Sequence, residues 1–566
     1  MTNTYDAIVI GGGHNGLTTA AYLAKAGRKV LVLERRHLVG GAAVSEQIYP
    51  GFTYTVCSYV VSLLRPEVIR DLQLAKHGLH ILPLDSAFVP MHDDYFAYWS
   101  DPASTREEIR RHAARDADAY SEFNNLMYLI GYAVKPILGM LPPDLTKPTL
   151  DDARHLLDLR QHLVGLGEKN FYALYKLMTA SVADFVDEWF ETDVLKALVS
   201  INGIIGTMLG PRSPGTAYVL LHHYMGELDG AFTAWGFQKG GTGGVSNAIA
   251  SAARSFGAEI RCNAPVSQVI VKGEQAVGVA LENGEEIYAR TIVSGLDPKL
   301  TFLKMLDPKI LPTDLVDSIR KFKFRGSSGK VNLALDGLPK FTSMPDPRLL
   351  QGMIEICPSM DYVERAYDDA KYGDFSRRPY CDVLIPSMLD PGMAPPGQHV
   401  MSVFVQYAPY HLNGGWNPTQ REAFGDSVVN AISEFAPNLK DLILHRQVLS
   451  PWDLEQEFGL TEGNIFQGEL TLDQLFFLRP APGYARYRTP IRNYYQCGSG
   501  THPGGGITAG PGRLAALEIL KDGKQKLYTD FTDKHGWFWI EARWRGSREA
   551  SGLQGPPTPI EDFESV

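Results

Sequence analysis

At 566 residues the chain is too long for one ordinary core, so two or three domains are expected. Hydrophobic residues make up 44% and charged residues 21%, the balance of a soluble globular protein, and a formal net charge of −10 argues against nucleic acid or an anionic membrane as a main partner. The five cysteines (Cys57, Cys262, Cys357, Cys381 and Cys497) contain no C-x-x-C pair, which excludes a redox dithiol and a structural zinc and points to reduced thiols in a cytoplasmic protein.

Residues 1–5 are polar and the first strand follows at once, so no signal peptide is expected. No run approaches the roughly 20 apolar residues of a spanning helix. The nearest, residues 126–141 (LMYLIGYAVKPILGML), is broken by Lys135 and Pro136 and reads as a buried helix pair in a cap domain. Peripheral membrane contact and oligomerisation stay open.

Asp6 to Ile10 (DAIVI) has the pattern of a buried parallel strand. It runs into Gly11-Gly12-Gly13-His14-Asn15-Gly16, which fits G-x-G-x-x-G at Gly11, Gly13 and Gly16. A helix over Leu17–Ala26 follows, stopped by Gly27, and a second strand over Lys29–Leu33 ends in Glu34. Gly11 serves the turn, Gly13 lets backbone approach a pyrophosphate at the helix N-terminus, and Gly16 allows close helix–strand packing. Glu34 is placed to accept hydrogen bonds from adenosine ribose hydroxyls. The segment continues Arg35-Arg36-His37-Leu38-Val39-Gly40-Gly41-Ala42-Ala43.

A second glycine-rich segment opens at Trp235, with Gly240, Gly241, Gly243 and Gly244 leading into a helix that ends at Gly257. A strand Glu259–Cys262 follows, then a meander over Pro265–Val271, Ala276–Leu281 and Glu286–Ala289 with an Asn283-Gly284 turn, then a returning strand from Thr291. A third segment, Tyr494 to Leu520, carries Gly498, Gly500, Thr501, His502 and Pro503, then Gly504-Gly505-Gly506 opening a helix at Ile507. A glycine-rich helix N-terminus so late in the chain suits a second anion site, such as the reduced flavin ring.

The ordered trio resembles the phytoene-desaturase-like branch of the flavin-containing amine oxidase superfamily, most of all in its G-x-G-T-H-P-G-x-G string. The resemblance implies an α/β protein: a glutathione-reductase-type FAD-binding Rossmann domain with an interleaved α+β substrate domain. It implies FAD as cofactor, held by Gly11, Gly13, His14, Asn15, Gly16, Glu34 and Arg35, then by the Gly40-Gly41 pair with Ala42, where the common form has Arg. In that family a Val at the position of Val266 meets the adenine through its backbone, and the third segment contributes Gly500, Gly505, Gly506 and Ile507.

The FAD-binding domain is expected over 1–104, 231–300 and 481–525, with the substrate domain over 105–230 (mainly helical) and 301–480 (mixed). A tail over 526–566 carries Trp537, Trp539 and Trp544, expected to pack on the body. No second G-x-G-x-x-G follows a strand, so the electron acceptor is expected to be oxygen, a quinone or a carrier protein rather than NAD(P)H. The catalytic residue is unassigned. His502 is a candidate base, although a loop-holding hydrogen bond explains it better, and Lys239, if buried, is a candidate contact to the flavin through water. His222 and His223 are adjacent on a helix and make no metal pair, although one can line a cavity near Glu227; no metal site is expected.

The resemblance implies dehydrogenation or desaturation of an apolar small molecule, isoprenoid-like or aromatic. Amine oxidation and redox-neutral flavin-dependent isomerisation are the alternatives. A non-enzymatic prenyl-protein escort role is disfavoured because all three FAD segments are intact.

Overall fold

The chain crosses twice between two sheets. It opens with β1 (Tyr5–Ile10), α1 (His14–Lys25) and β2 (Val30–Leu33), then leaves for β3 (Ser86–Pro90) and β4 (Tyr95–Trp99). The helices α2 (Ala114–Val134), α3 (Leu150–Gly165), α4 (Gly167–Thr179) and α5 (Thr216–Tyr224) follow. It returns with α6 (Gly243–Ser255), β5 (Glu259–Arg261), β6 (Val266–Lys272), β7 (Gln275–Leu281) and β8 (Glu286–Ser294). A second excursion supplies β9 (Ser328–Leu335), β10 (Met353–Ile356), β11 (Tyr380–Leu384), β12 (His399–Gln406) and β13 (Ile443–Leu449), before β14 (Tyr494–Gln496) and α7 (Gly510–Asp522) close the fold. The computed structural model describes residues 5–143, 149–228, 230–232 and 234–523. Its main unit is Met1–Ile519; of the second, Leu520–Val566, only residues 520–523 are described. The tail over 526–566, with its three tryptophans, lies outside the described residues.

The first sheet has the order β5-β2-β1-β8-β7-β6, with β14 also paired to β8. Its centre is parallel: β1 aligns Ala7 with Val30 of β2 and with Thr291 of β8. All four residues of β2 and the last four of β1 are buried, as a sheet covered on both faces requires. This is a Rossmann-type nucleotide-binding sheet. The helices α1 and α6 pack together, both rich in buried alanine (Ala20, Ala21, Ala24; Ala248, Ala252, Ala253), which lets their backbones come close. The meander and the returning strand, expected as separate elements, are continuous in β8. Its first half pairs antiparallel with β7 (Ala280 opposite Glu286), and its second half runs parallel to β1 (Ile10 opposite Ser294).

The second sheet has the order β13-β9-β12-β11-β10-β3-β4. Because β3 and β4 belong here, the first FAD segment ends before Ser86 and not at residue 104. Tyr95–Trp99 pairs along its whole length with Ser86–Pro90, and Phe88 pairs with Ile354 of β10, so these residues extend the substrate sheet. The segment 126–141 forms the end of α2 and a 3-10 turn, Lys135–Gly139. Only one face of it is buried (Met127, Ile130, Val134); Tyr128, Leu129 and Tyr132 are exposed, so the expectation of a buried pair holds for half of it. Among the described residues no helix is long and apolar enough to cross a membrane.

The final helix starts at Gly510, three residues later than expected, because Ala509 sits in the left-handed region (φ 57) and Thr508 Oγ1 accepts the Gly510 N–H at 3.1 Å. It docks on α1 through Gly512, whose carbonyl accepts from Thr19 Oγ1 at 2.9 Å. A Cβ at Gly512 would lie 2.2 Å from the carbonyl oxygen of Asn15. Gly512→Ala should therefore lower unfolding stability by about 1–3 kcal/mol, the range for overpacking, read by denaturant titration; an unchanged midpoint would mean the two helices can separate freely.

Candidate functional site

Three steric needs shape the turn after β1. Gly11 has φ +93, and a Cβ at Gly16 would fall 2.2 Å from the carbonyl oxygen of Gly11. Gly13 differs. It precedes α1 in extended conformation, and a Cβ there would meet only the Cα of Gly41, at 4.0 Å. Its open side faces a groove of about 370 Å³. No side chain caps α1, which leaves its first N–H groups for an anionic occupant.

The neighbouring chain is drawn in tightly. Gly40 N–H donates to the Gly12 carbonyl at 2.8 Å, and a Cβ on Gly40 would sit 2.3 Å from the Ala43 carbonyl oxygen. Glu34 is buried at the end of β2 and accepts from the backbone N–H of Gly12 (2.7 Å) and Arg36 (2.8 Å). Asn15 donates to Ser499 Oγ at 2.9 Å, tying the third segment to α1. The Oδ1 of Asn15 and Nε2 of His14 are buried without hydrogen-bond partners.

Gly11, Gly13, His14, Asn15, Gly16, Glu34, Arg35, Gly40, Gly41, Ala42 and Val266 all line the groove. Gly506 and Ile507 instead line a second cavity of about 140 Å³, which meets the groove at His14, Ala42 and Ile465. Gly500 and Gly505 line neither, contrary to expectation. A Cβ on Gly500 would lie 2.2 Å from Pro298 Cδ and one on Gly505 2.4 Å from the Phe466 ring, so both glycines serve packing. The groove suits FAD: uncapped N–H groups for a pyrophosphate, an open Gly13 beside them, the Glu34 carboxylate in its wall and two unpartnered polar atoms.

The second cavity is mainly apolar, walled by Val60, Leu63, Trp235, Phe404, Leu454 and Phe466. Tyr59 and Phe404 stack on each other (centroids 5.7 Å, 18°), leaving no slot between their rings. Lys330 of β9 is 2% exposed, lines this cavity, donates from Nζ to Ser402 Oγ at 2.6 Å and lies 4.4 Å over the Tyr59 ring. Burial lowers its amine to about 7, against the opposing pull of Asp382. Asp382, which accepts from the Tyr59 hydroxyl, is raised by burial to about 7. The sequence reading missed Lys330, which stands near the head of a strand buried at all eight positions, SGKVNLAL. A lysine at the head of such an apolar run was the available signal.

Lys239, the lysine proposed for the flavin, is exposed and lines neither the groove nor the cavity, because the β-strand before it ends at Gln238 and releases it to solvent. His502 is buried, with Nε2 3.1 Å from the Ile137 carbonyl oxygen, and burial lowers it to about 4. It borders a separate apolar cavity of about 270 Å³, so it holds its loop and does not face the cavity of Lys330. His223 lines that cavity and stacks on Trp235 (5.9 Å), while the His222 ring stands at 89° to it. Glu227 pairs with Lys135. Among the described residues no group of three or more His, Cys, Asp or Glu side chains could hold a metal, and all five cysteines are free.

This fold and groove define a flavin-dependent oxidoreductase. The family model for flavin containing amine oxidoreductases matches residues 16–510, and the chain belongs to that family, with FAD as cofactor. It is 40% identical over 544 residues to the pyridine nucleotide-disulfide oxidoreductase domain-containing protein 2 of Rattus norvegicus, covering 92% of this chain and 94% of that one. It is 28% identical to one of the subunits of limonene dehydrogenase from Castellaniella defragrans (91% and 94% covered) and 26% identical to the lycopene-forming phytoene desaturase of a Paracoccus species (91% and 97%).

Two glycine variants separate binding from folding. Gly13→Val should fold and lose its yellow colour, because its side chain would occupy the groove without touching protein. Gly16→Val should fail to accumulate as folded protein, because it drives into the Gly11 carbonyl. Absorbance at the flavin band and circular dichroism read the two effects; full flavin in folded Gly13→Val would misplace the pyrophosphate.

Proposed function

We propose that the protein dehydrogenates an apolar small molecule, isoprenoid-like or aromatic, seated in the cavity of Lys330. The observation that carries this reading is the lining of that cavity: mainly apolar and aromatic side chains, with His14, His223 and three serines, one buried lysine and no carboxylate. An ammonium substrate would find a buried amine and no counter-ion among the lining residues, and the stacked Tyr59–Phe404 pair offers it no ring cage. The names of two relatives, a limonene dehydrogenase and a phytoene desaturase, support the same substrate class.

Bound FAD supplies the hydride acceptor. The chain's own residues orient the substrate, exclude water and manage the proton. Val60, Leu63 and Phe466 form dry walls beside the point where cavity and groove meet. Neutral Lys330 can take the proton that leaves the neighbouring carbon. The electron acceptor we assign to oxygen, a quinone or a carrier protein.

Anaerobic mixing with apolar hydrocarbons should bleach the flavin, whereas primary amines should not; bleaching by amines alone would overturn the reading. The bleaching rate should rise with pH through about 7, since only the neutral amine of Lys330 accepts a proton. Lys330→Met should retain FAD, lose that pH dependence and bleach about 10²–10⁴-fold more slowly. A Lys330→Met variant as fast as wild type would remove the lysine from the chemistry.

A further inference from the structure

Lys330 is one end of a polar row. In the second sheet Lys330 pairs with Phe404, Phe404 with Asp382, and Asp382 with Glu355. Directly paired residues of antiparallel strands share a face, so all four lie on the side toward the cavity, across β9, β12, β11 and β10. Asp382 and Glu355 are 1% and 3% exposed. Tyr59, from the cavity wall, donates to Asp382, and the Tyr380 hydroxyl donates to Glu355 Oε2 at 3.0 Å. The second oxygen of Asp382 is buried without a partner.

Two neighbouring carboxyls in such a place cannot both be ionised. Glu355 is held well above its ordinary value by burial and then by the charge of Asp382. The other titratable groups beside the row are Tyr59, Tyr380, Cys57, Cys357 and, on the opposite face of its strand, Cys381; burial raises all of them, so they stay protonated near neutrality. Lys330, Asp382 and Glu355 therefore make up the titrating set. Burial penalises net charge, which favours two protons over these three sites. Either Lys330 is a cation beside one carboxylate, or it is a free amine beside two carboxylic acids.

We propose that Asp382 and Glu355 are positioning residues that join Lys330 in one shared protonation unit, which receives the proton released by the substrate. This rests on the dehydrogenation reading above. In the step, hydride leaves one substrate carbon for the oxidised flavin with its electron pair. The C–H bond of the adjacent carbon breaks, its electron pair forms the new C=C bond, and the proton bonds to the lone pair of Lys330 Nζ. The reacting form, populated as pH rises, has lost one proton; uptake of the substrate's proton returns the unit to zero net charge, and the unit passes a proton to solvent before the next turnover.

The test uses the holoenzyme and three near-isosteric variants. Infrared difference spectra between H₂O and D₂O at neutral pH should show a protonated-carboxyl C=O band that is lost in Glu355→Gln and strengthened in Lys330→Met, where both acids must hold protons. In Asp382→Asn the pH midpoint of flavin bleaching should move down by about one pH unit, because a neighbouring negative charge no longer holds the lysine proton. Glu355→Gln, which mimics the protonated acid, should leave that midpoint in place. A carboxyl region unchanged in Glu355→Gln, or an Asp382→Asn profile superimposed on wild type, would overturn the shared unit. If no apolar donor reduces the wild-type flavin, the dehydrogenase reading fails, and the infrared arm alone decides the proton sharing.

Discussion

The first turn of α1 carries N–H groups that no side chain caps, and three distant stretches of chain converge on it. A helix end left open in this way favours negative charge. Gly40 approaches from one side through the Gly12 carbonyl, Ser499 reaches Asn15 from another, and Gly512 of the last helix rests on the Asn15 carbonyl. Each approach needs a residue with little or no side chain. The groove is thus a consequence of backbone packing, with few polar side chains committed to it.

Holding the third segment there takes a second device. Arg479 is fully buried and donates to the carbonyl oxygens of Phe466, Gly468, Glu469, Gln474 and Ser499. Burial lowers its guanidinium to about 9. Its planar fork ties the loop over 466–474, which lines the groove and cavity through Phe466 and Gln467, to Ser499. The nucleotide side and the substrate side of the molecule are linked at this residue. The substrate sheet then provides one wall of the cavity, where Lys330 lies over the Tyr59 ring and donates to Ser402 Oγ.

The N-terminal half of the site was legible because its constraints are local. Gly11, Gly13, Gly16 and Glu34 lie within one β-α-β unit, and a turn, a helix start and a strand end each demand particular residues there. Val266 was reachable only through family resemblance. Gly500 and Gly505 misled because a glycine needed for packing against Pro298 or Phe466 looks the same in sequence as one needed for a ligand. The boundary at residue 104 failed for a related reason: β3 pairs with a strand more than 250 residues further on and carries its hairpin partner β4 with it, and alternation alone does not say which sheet a strand joins. Lys239 is exposed and Lys330 buried because burial at one end of a strand depends on sheet position, which the sequence does not show. The row Lys330–Phe404–Asp382–Glu355 draws on four strands and exists only in the assembled register.

The account's central claim concerns what leaves the substrate. A single anaerobic turnover with an apolar hydrocarbon, followed by mass analysis of the extracted product, tests it most directly. The account predicts one product molecule per flavin reduced, lighter by two hydrogens and carrying a new C=C bond. An imine or aldehyde formed from an amine, with hydrocarbons left intact, would contradict it.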